Sequence, residues 1–247
     1  MNFICVFGIC HLNIIPLRKE KTSKSELVSQ LLYGDLFTIL KEEDNWYYVE
    51  ILDDNYNGWI NYSQLKKISE KDFKKLQKIK TEFLHNISTE VETSSGKMII
   101  SIGSKISYCD FLNHKLIKDF KNEGCSIEET ARKYLNTPYL WGGKTNSGID
   151  CSGFTQMVFK LNNIELKRDA YQQAQQGKEI KLNCAKEGDL IFFGENKITH
   201  VGIIINRDEI IHAFGRIRID KINKKGILNT ETNKITHKLK KVVTFYY

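Results

Sequence analysis

Proline is almost absent from this chain, with two residues in 247. The 16 glycines fall into no periodic or linker-like tract, so collagen-like and linker-dominated chains are excluded. No apolar run approaches the ~18 residues of a membrane span. The six cysteines, Cys5, Cys10, Cys109, Cys125, Cys151 and Cys184, contain no C-x-x-C and no repeated spacing. Neither a zinc site nor a disulfide framework is signalled, and scattered thiols suit a reducing compartment. A secretory leader needs a basic region ahead of its apolar core. Here the apolar stretch from Phe3 to Cys10 precedes the first Lys or Arg, Arg18. We therefore expect a cytoplasmic protein and read Ile4, Val6 and Gly8 as part of a first strand.

What is present is ordinary globular material. Hydrophobic residues make up 41% and charged residues 27%, which excludes a disordered chain and leaves enough apolar mass for a core. Thirty-seven Lys+Arg against 30 Asp+Glu give a net charge of +7, but the lysines are spread along the chain. Charge alone therefore does not mark a nucleic-acid binder. The length falls between one large domain and two small ones.

Residues 1–66 read as short β-rich runs: Leu27-Val28, Leu31-Leu32, Leu36–Leu40 and Trp46–Val49, with turn chemistry at Gly34-Asp35 and Asp53–Gly58. A small antiparallel barrel suits strands this short. Phe73, Leu76, Ile79 and Phe83 recur at helical spacing among lysines, which predicts a connecting amphipathic helix over 69–83. Its lysines read as a solvated face or as a site for an anionic partner. Met98–Ile102 and Lys105–Tyr108 predict strands within 84–122, a second small β unit or an elaborated linker. A boundary follows at Gly124. Ser126-Ile127-Glu128-Glu129 is a capping-box pattern opening a helix that Pro138 stops. A Trp141-Gly142-Gly143 loop leads to Asp150-Cys151-Ser152-Gly153, and Phe154, Met157, Val158 and Leu161 then define an amphipathic helix. Another helix is predicted over 168–176. Strands follow at Leu190–Phe193, Val201–Ile205, Ile210–Phe214 and Val242–Tyr246, an α+β arrangement.

Cys151 sits in the first turn of its helix, where the macrodipole is expected to lower a thiol pKa. His200 and His212 lie in two successive predicted strands. Adjacent antiparallel strands would bring one imidazole to the thiol as its base and the second behind it as an orienting group. The spacing alone also admits a small buried cysteine and two structural histidines.

Four motifs occur in order: Thr137-Pro138-Tyr139-Leu140-Trp141-Gly142-Gly143, Asp150-Cys151-Ser152-Gly153-Phe154, Gly188-Asp189-Leu190-Ile191-Phe192-Phe193 and His200-Val201-Gly202-Ile203. Together they resemble the NlpC family of papain-like cysteine peptidases that cut bacterial cell-wall peptides. Ile211-His212-Ala213 matches the family's third polar position. Leu17-Arg18, Ser25–Gln30, Tyr33-Gly34-Asp35 and Tyr56–Ile60 resemble the bacterial SH3-like domains that precede such peptidases. The implied organisation is an SH3-like domain over 1–66, a connecting region over 67–122 and a papain-like peptidase domain over 123–247.

The resemblance implies that Cys151 is the nucleophile, His200 the base and later acid, and His212 the orienting residue. The Cys151 amide and the Tyr139 hydroxyl would form the oxyanion site, and Asp150 and Ser152 would hold a D-glutamate segment. Asp150 also reads as a helix N-cap. The pairing with an SH3-like domain is similar to the γ-D-glutamyl-L-diamino acid endopeptidases that recycle muropeptides with a free N-terminal L-Ala. That resemblance implies an ammonium pocket. Asp169 is its candidate on the catalytic side and Tyr56 and Glu26 on the other; Tyr56 reads equally as a barrel aromatic before the Gly-Trp turn, Glu26 as a solvated surface carboxylate, and an Arg168–Asp169 pair would make that element structural. It further implies a peptidoglycan-derived peptide substrate, no metal or organic cofactor, and no nucleic-acid or membrane partner; oligomeric state is left open. An exported wall endopeptidase and a non-catalytic wall-binding module are the alternatives. Intact Cys151, His200 and His212 weigh against the second.

Overall fold

Short β-branched and aromatic runs broken by turn residues build the first half of the chain. The computed structural model describes residues 6–117 and 125–245. Ile4, the boundary at Gly124 and the end of the last predicted strand at Tyr246 lie outside the described residues. The chain divides into two units, Met1–Glu123 and Gly124–Tyr247.

In the first unit the strands are β1 (Val6–Ile9), β2 (Ile14–Arg18), β3 (Leu27–Leu32), β4 (Leu36–Glu43), β5 (Trp46–Ile51), β6 (Asn57–Asn61) and β7 (Lys66–Ile68). They form an antiparallel sheet in the order β3-β2-β6-β5-β4-β1-β7. Leu17, Leu31, Phe37, Val49, Ile51 and Ile60, drawn from five of these strands, share one core, so the sheet rolls around it. Helix α1 (Glu70–Leu76) is capped by Ser69 and buries Phe73 and Leu76. It is shorter than the predicted 69–83. Phe83 instead bridges to Lys105 in β fashion, and Ile79 packs on the core without helical continuation. Strands β8 (Ser88–Thr93) and β9 (Gly96–Ser101) form a hairpin, joined by β10 (Lys115–Leu116).

The predicted strand at Lys105–Tyr108 is a 3-10 turn running into α2 (Cys109–Leu112). The reason is Lys105, a buried ammonium held 2.6 Å from Asp53 and 3.5 Å from Asp35, which bends the chain inward. Phe73, Leu84, Val91, Ile100 and Leu112 share a core with Ile9, Tyr33 and Leu36 of the rolled sheet. Residues 67–117 are thus packed onto the barrel rather than strung out from it.

The second unit opens with α3 (Ile127–Arg132), carrying the full Ser126–Glu129 capping box. The hairpin β11 (Lys144–Thr145) and β12 (Gly148–Ile149) delivers the chain to α4 (Cys151–Leu161). Helix α4 is buried along nearly its whole circumference, not on one face only. Its polar residues are satisfied internally: Thr155 Oγ1 donates to Gln173 Oε1 at 2.7 Å, and Gln156 Nε2 to the Leu166 carbonyl at 2.9 Å. Helix α5 (Ala170–Gln173) is short. The strands β13 (Lys178–Ile180), β14 (Leu190–Phe193), β15 (His200–Asn206), β16 (Glu209–Phe214), β17 (Arg216–Asn223), β18 (Gly226–Asn229) and β19 (Lys234–Thr244) form a sheet ordered β13-β19-β14-β15-β16-β17-β18. A further β18–β19 pairing closes it on itself, and α4 packs on β15 and β16. Sequence reading passed over β17, although its apolar–charged alternation is a strand signal, and β18, a run of four residues.

Candidate active site

Asp150 caps α4 by accepting the Gly153 amide at 2.7 Å, and it also accepts the Gly142 amide at 2.8 Å. Arg168, 1% exposed, forks onto both carboxylate oxygens at 3.0 and 2.6 Å. Its Nη1 also donates to Ser152 Oγ at 2.9 Å, and Ser152 in turn donates to Asp150 at 3.3 Å. Five donors thus converge on a carboxylate with about four lone-pair sites. The helix N-cap read from the sequence is what these bonds make of Asp150. Its carboxylate is saturated and buried, and it ties the Gly142 loop, the helix start and Arg168 into one scaffold. Ser152 is a member of the same network, and Arg168 finds its ion pair in Asp150.

Cys151 follows as the first helical residue, buried at 5% exposure. The helix start was expected to depress its pKa. Burial wins instead and, with the Asp150 charge, pushes the thiol up to about 12, against smaller opposing effects from the Val201 amide, Arg168 and the Ser152 amide. The thiol therefore rests protonated, and its activation falls to a neighbouring base. The Val201 amide that contacts the thiol follows His200 in sequence, which sets the sulfur at the start of β15.

Strand register explains how the histidines meet. His212 stands opposite Gly202 in the β15–β16 ladder. A Cβ on Gly202 would lie 2.8 Å from the His212 Cβ, so only glycine lets the two strands carry His212 this close. His200 Nε2 is 2.9 Å from His212 Nδ1. His212 Nε2 is 3.1 Å from Asp220 Oδ2 on β17. Burial alone would raise the Asp220 pKa. Hydrogen bonds from His212, Thr230 and Arg218 overcome that and hold the carboxyl well below its usual range.

Asp220 is thus an ionised acceptor, and this decides the protons along the chain. It takes the N–H of His212 Nε2, His212 Nδ1 takes the N–H of His200 Nε2, and His200 Nδ1 is left bare as the basic atom. Burial first, then the charges of His212 and His237, keep His200 well below the usual imidazole range. His212 is likewise lowered, chiefly by burial, with Asp220 opposing. The resting pair is a neutral thiol and a neutral imidazole. Such an arrangement can deprotonate a thiol as it attacks a carbonyl and can return the proton to a leaving amine.

Tyr139 stands at the cleft, 37% exposed, with its backbone amide held by the Gly215 carbonyl at 2.9 Å. Burial, then the charges of Cys151 and Asp150, raise its pKa, so it remains a phenol able to donate a hydrogen bond beside the thiol. Asp169 is half-buried at the start of α5, its amide donating to Gln172 Oε1 at 3.1 Å. Glu26 and Tyr56 belong to the first unit. Glu26 is exposed and 3.2 Å from the Lys19 ammonium, and Tyr56 packs half-buried on the barrel core. Two residues packed into the histidine chain escaped the sequence reading. Asp220 was visible only as a charge in Arg216-Ile217-Arg218-Ile219-Asp220, a strand whose alternation would have marked it. His237 carried no motif at all. Among the described residues, no group of three or more His, Cys, Asp or Glu is arranged to hold a metal ion.

A cysteine at a buried helix start, beside the strand that His200 opens and with His212 and Asp220 behind that histidine, is an arrangement suited to thiol-based hydrolysis. Residues 136–236 match the NlpC/P60 family, and residues 17–65 match the bacterial dipeptidyl-peptidase SH3 domain. The chain thus carries an NlpC/P60 domain, of a family of papain-like cysteine peptidases, with a bacterial dipeptidyl-peptidase SH3 domain ahead of it. It is 28% identical over 232 residues to the γ-D-glutamyl-L-lysine dipeptidyl-peptidase of Bacillus subtilis (strain 168), covering 83% of this chain and 74% of the relative. It is also 28% identical to dipeptidyl-peptidase 6 of Lysinibacillus sphaericus, over 80% of this chain and 83% of that one. The crystal structure of an NlpC/P60 family protein from Bacillus cereus shares the fold. Its TM-score is 0.78 at 15% identity, covering 97% of this chain and 99% of the other.

Proposed function

We propose that the protein is an endopeptidase that hydrolyses the bond between γ-D-Glu and an L-diamino acid in muropeptides with a free N-terminal L-Ala. We place the reaction on soluble peptides in the cytoplasm, as part of cell-wall peptide recycling. The observation that carries the reading is the buried chain Asp220–His212–His200 across three successive strands, the first of them beside Cys151, in a chain that also carries the dipeptidyl-peptidase SH3 domain.

In this mechanism Cys151 Sγ attacks the γ-carbonyl carbon while His200 Nδ1 takes the thiol proton. The oxyanion is met by the Cys151 amide, one of the first-turn amides that a helix leaves without an internal partner, and by the Tyr139 phenol. The C–N bond breaks as His200 protonates the departing amine. Water, deprotonated by His200, then cleaves the thioester and frees the γ-carboxylate. His212, fixed by Asp220, keeps His200 in the productive tautomer and steadies its imidazolium. Asp169 offers the carboxylate that a free ammonium requires.

Mass-spectrometric hydrolysis of paired peptides tests the reading. The substrates are L-Ala-γ-D-Glu with meso-diaminopimelate or L-Lys, each with a free or an acetylated amine, alongside polymeric sacculi. Cleavage confined to the free-amine peptides and lost in Cys151→Ala is the expected result. Equal cleavage of free and acetylated peptides removes the amine pocket, and preferential attack on sacculi points to a wall endopeptidase.

A further inference from the structure

A third histidine completes the surroundings of the base. His237 comes from β19, two strands away from β15 across β14. Its ring stacks on His200 with centroids 4.2 Å apart and planes 26° from parallel. Phe214 meets the outer ring edge-on at 5.1 Å, and Phe193 at 6.2 Å. Thr236 Oγ1 lies 2.9 Å from His237 Nδ1. The β18–β19 ladder is built to bring this ring in: its register shifts between Ile227 and Leu228. At Gly226, where φ is +140°, an added Cβ would overlap the His237 carbonyl. His237 is half-buried while His200 is 5% exposed, so the outer ring lies between part of the base and solvent.

We propose that His237 is a positioning residue: by stacking on one face of His200 it keeps water from the imidazole and holds the ring plane that directs Nδ1 toward Cys151. The proposal rests on the catalytic reading given above, but not on the identity of the substrate. Burial and the nearby His212 lower the His237 pKa to about 4, so it covers the base without adding a charge beside it. The groups facing His200 are Phe193 from β14, His212 from β16 and His237 from β19, with Asp220 and Arg218 of β17 behind His212, and Cys151 of α4 lies against the amide of the next residue, Val201. Of these, His237 is the aromatic ring stacked on the base within 4.2 Å and not bonded into the His212–Asp220 chain. A flat ring without proton chemistry should therefore serve in its place.

The test compares His237→Ala with His237→Phe in the full chain, each checked for folding by circular dichroism. The first readout is the rate at which iodoacetamide alkylates Cys151 across pH, followed on the Cys151 peptide by mass spectrometry. It needs no substrate, so a wrong substrate assignment leaves it readable. His237→Ala should hydrate His200, raise its pKa and move the acid limb of the alkylation profile to higher pH. Turnover of a cleaved peptide should fall roughly tenfold in kcat, with KM within about twofold. His237→Phe should restore both profile and kcat to within about threefold of the parent. An unchanged profile and kcat in folded His237→Ala would overturn the proposal. So would a folded His237→Phe as impaired as the alanine variant, because the imidazole itself would then be required.

Discussion

Each unit buries a thiol near an imidazole and a hydrogen-bonding partner, and the two arrangements differ in what stands behind the imidazole. In the first unit Tyr33 Oη lies 3.5 Å from Cys109 Sγ and 3.0 Å from His114 Nδ1. The phenol stands between thiol and imidazole. Its pKa is raised, first by burial and then by its bond with Cys109, so it stays a neutral phenol. Cys109 is itself raised by burial, as is Cys10. Cys151 is raised too, so burial does not distinguish it. What differs is that its neighbouring histidine is backed by a second histidine and an ionised Asp220, which leave a bare ring nitrogen as the end of the chain. In the proposed mechanism the buried thiol is activated by the tautomers around it, not by its resting pKa.

The sharpest way to break that contrast is to exchange the fates of the two thiols. Cys151→Ala should abolish hydrolysis, a loss of about 10³-fold or more in kcat, while Cys109→Ala leaves kcat within about twofold and lowers thermal stability only. Comparable activity losses in the two would end the distinction. Asp220→Asn should follow, with kcat down by about 10²–10⁴ at nearly unchanged KM. Its amide can donate to His212 Nε2, reverse the His212 tautomer and move the bare nitrogen away from the thiol. Full activity in this variant would show that Asp220 does not govern the tautomers. Arg168→Met leaves the Asp150 carboxylate buried without its cation and should cost about 3–5 kcal/mol in urea unfolding. A change below ~1 kcal/mol would mean that water or another donor takes its place.

The gentlest probe is pH. His200, His212 and His237 all titrate lower in the folded protein than their usual 6.5, His237 at about 4. As pH falls below 6.5 the unfolded chain takes up protons that the folded one resists, so folding stability should drop progressively down to about pH 4. The melting temperature should decline through this window, and His237→Phe should flatten part of the decline. A melting curve independent of pH there would contradict burial of these imidazoles in neutral form.

Much of the scaffold was legible because it depends on neighbours in the chain. The Ser126–Glu129 cap and the apolar spacing after Cys151 are local signals, and both appear as helices. The β14, β15 and β16 runs are apolar enough to read as strands. Illegible elements fail for an equally physical reason. The alternation of β17 signals a strand but not that its charged Arg218 and Asp220 are the buried ones. Helical spacing through Phe83 misled, because that residue pairs with Lys105 instead of continuing α1.

The sequence by itself therefore determined that Cys151 would begin a helix and that His200 and His212 would lie on successive strands, since capping and periodicity act over a few residues. Tertiary structure decided the rest. Strand register set His212 between His200 and Asp220 and brought His237 over the base. Burial, which depends on what distant segments cover, turned the thiol's pKa upward where the helix start alone would have lowered it.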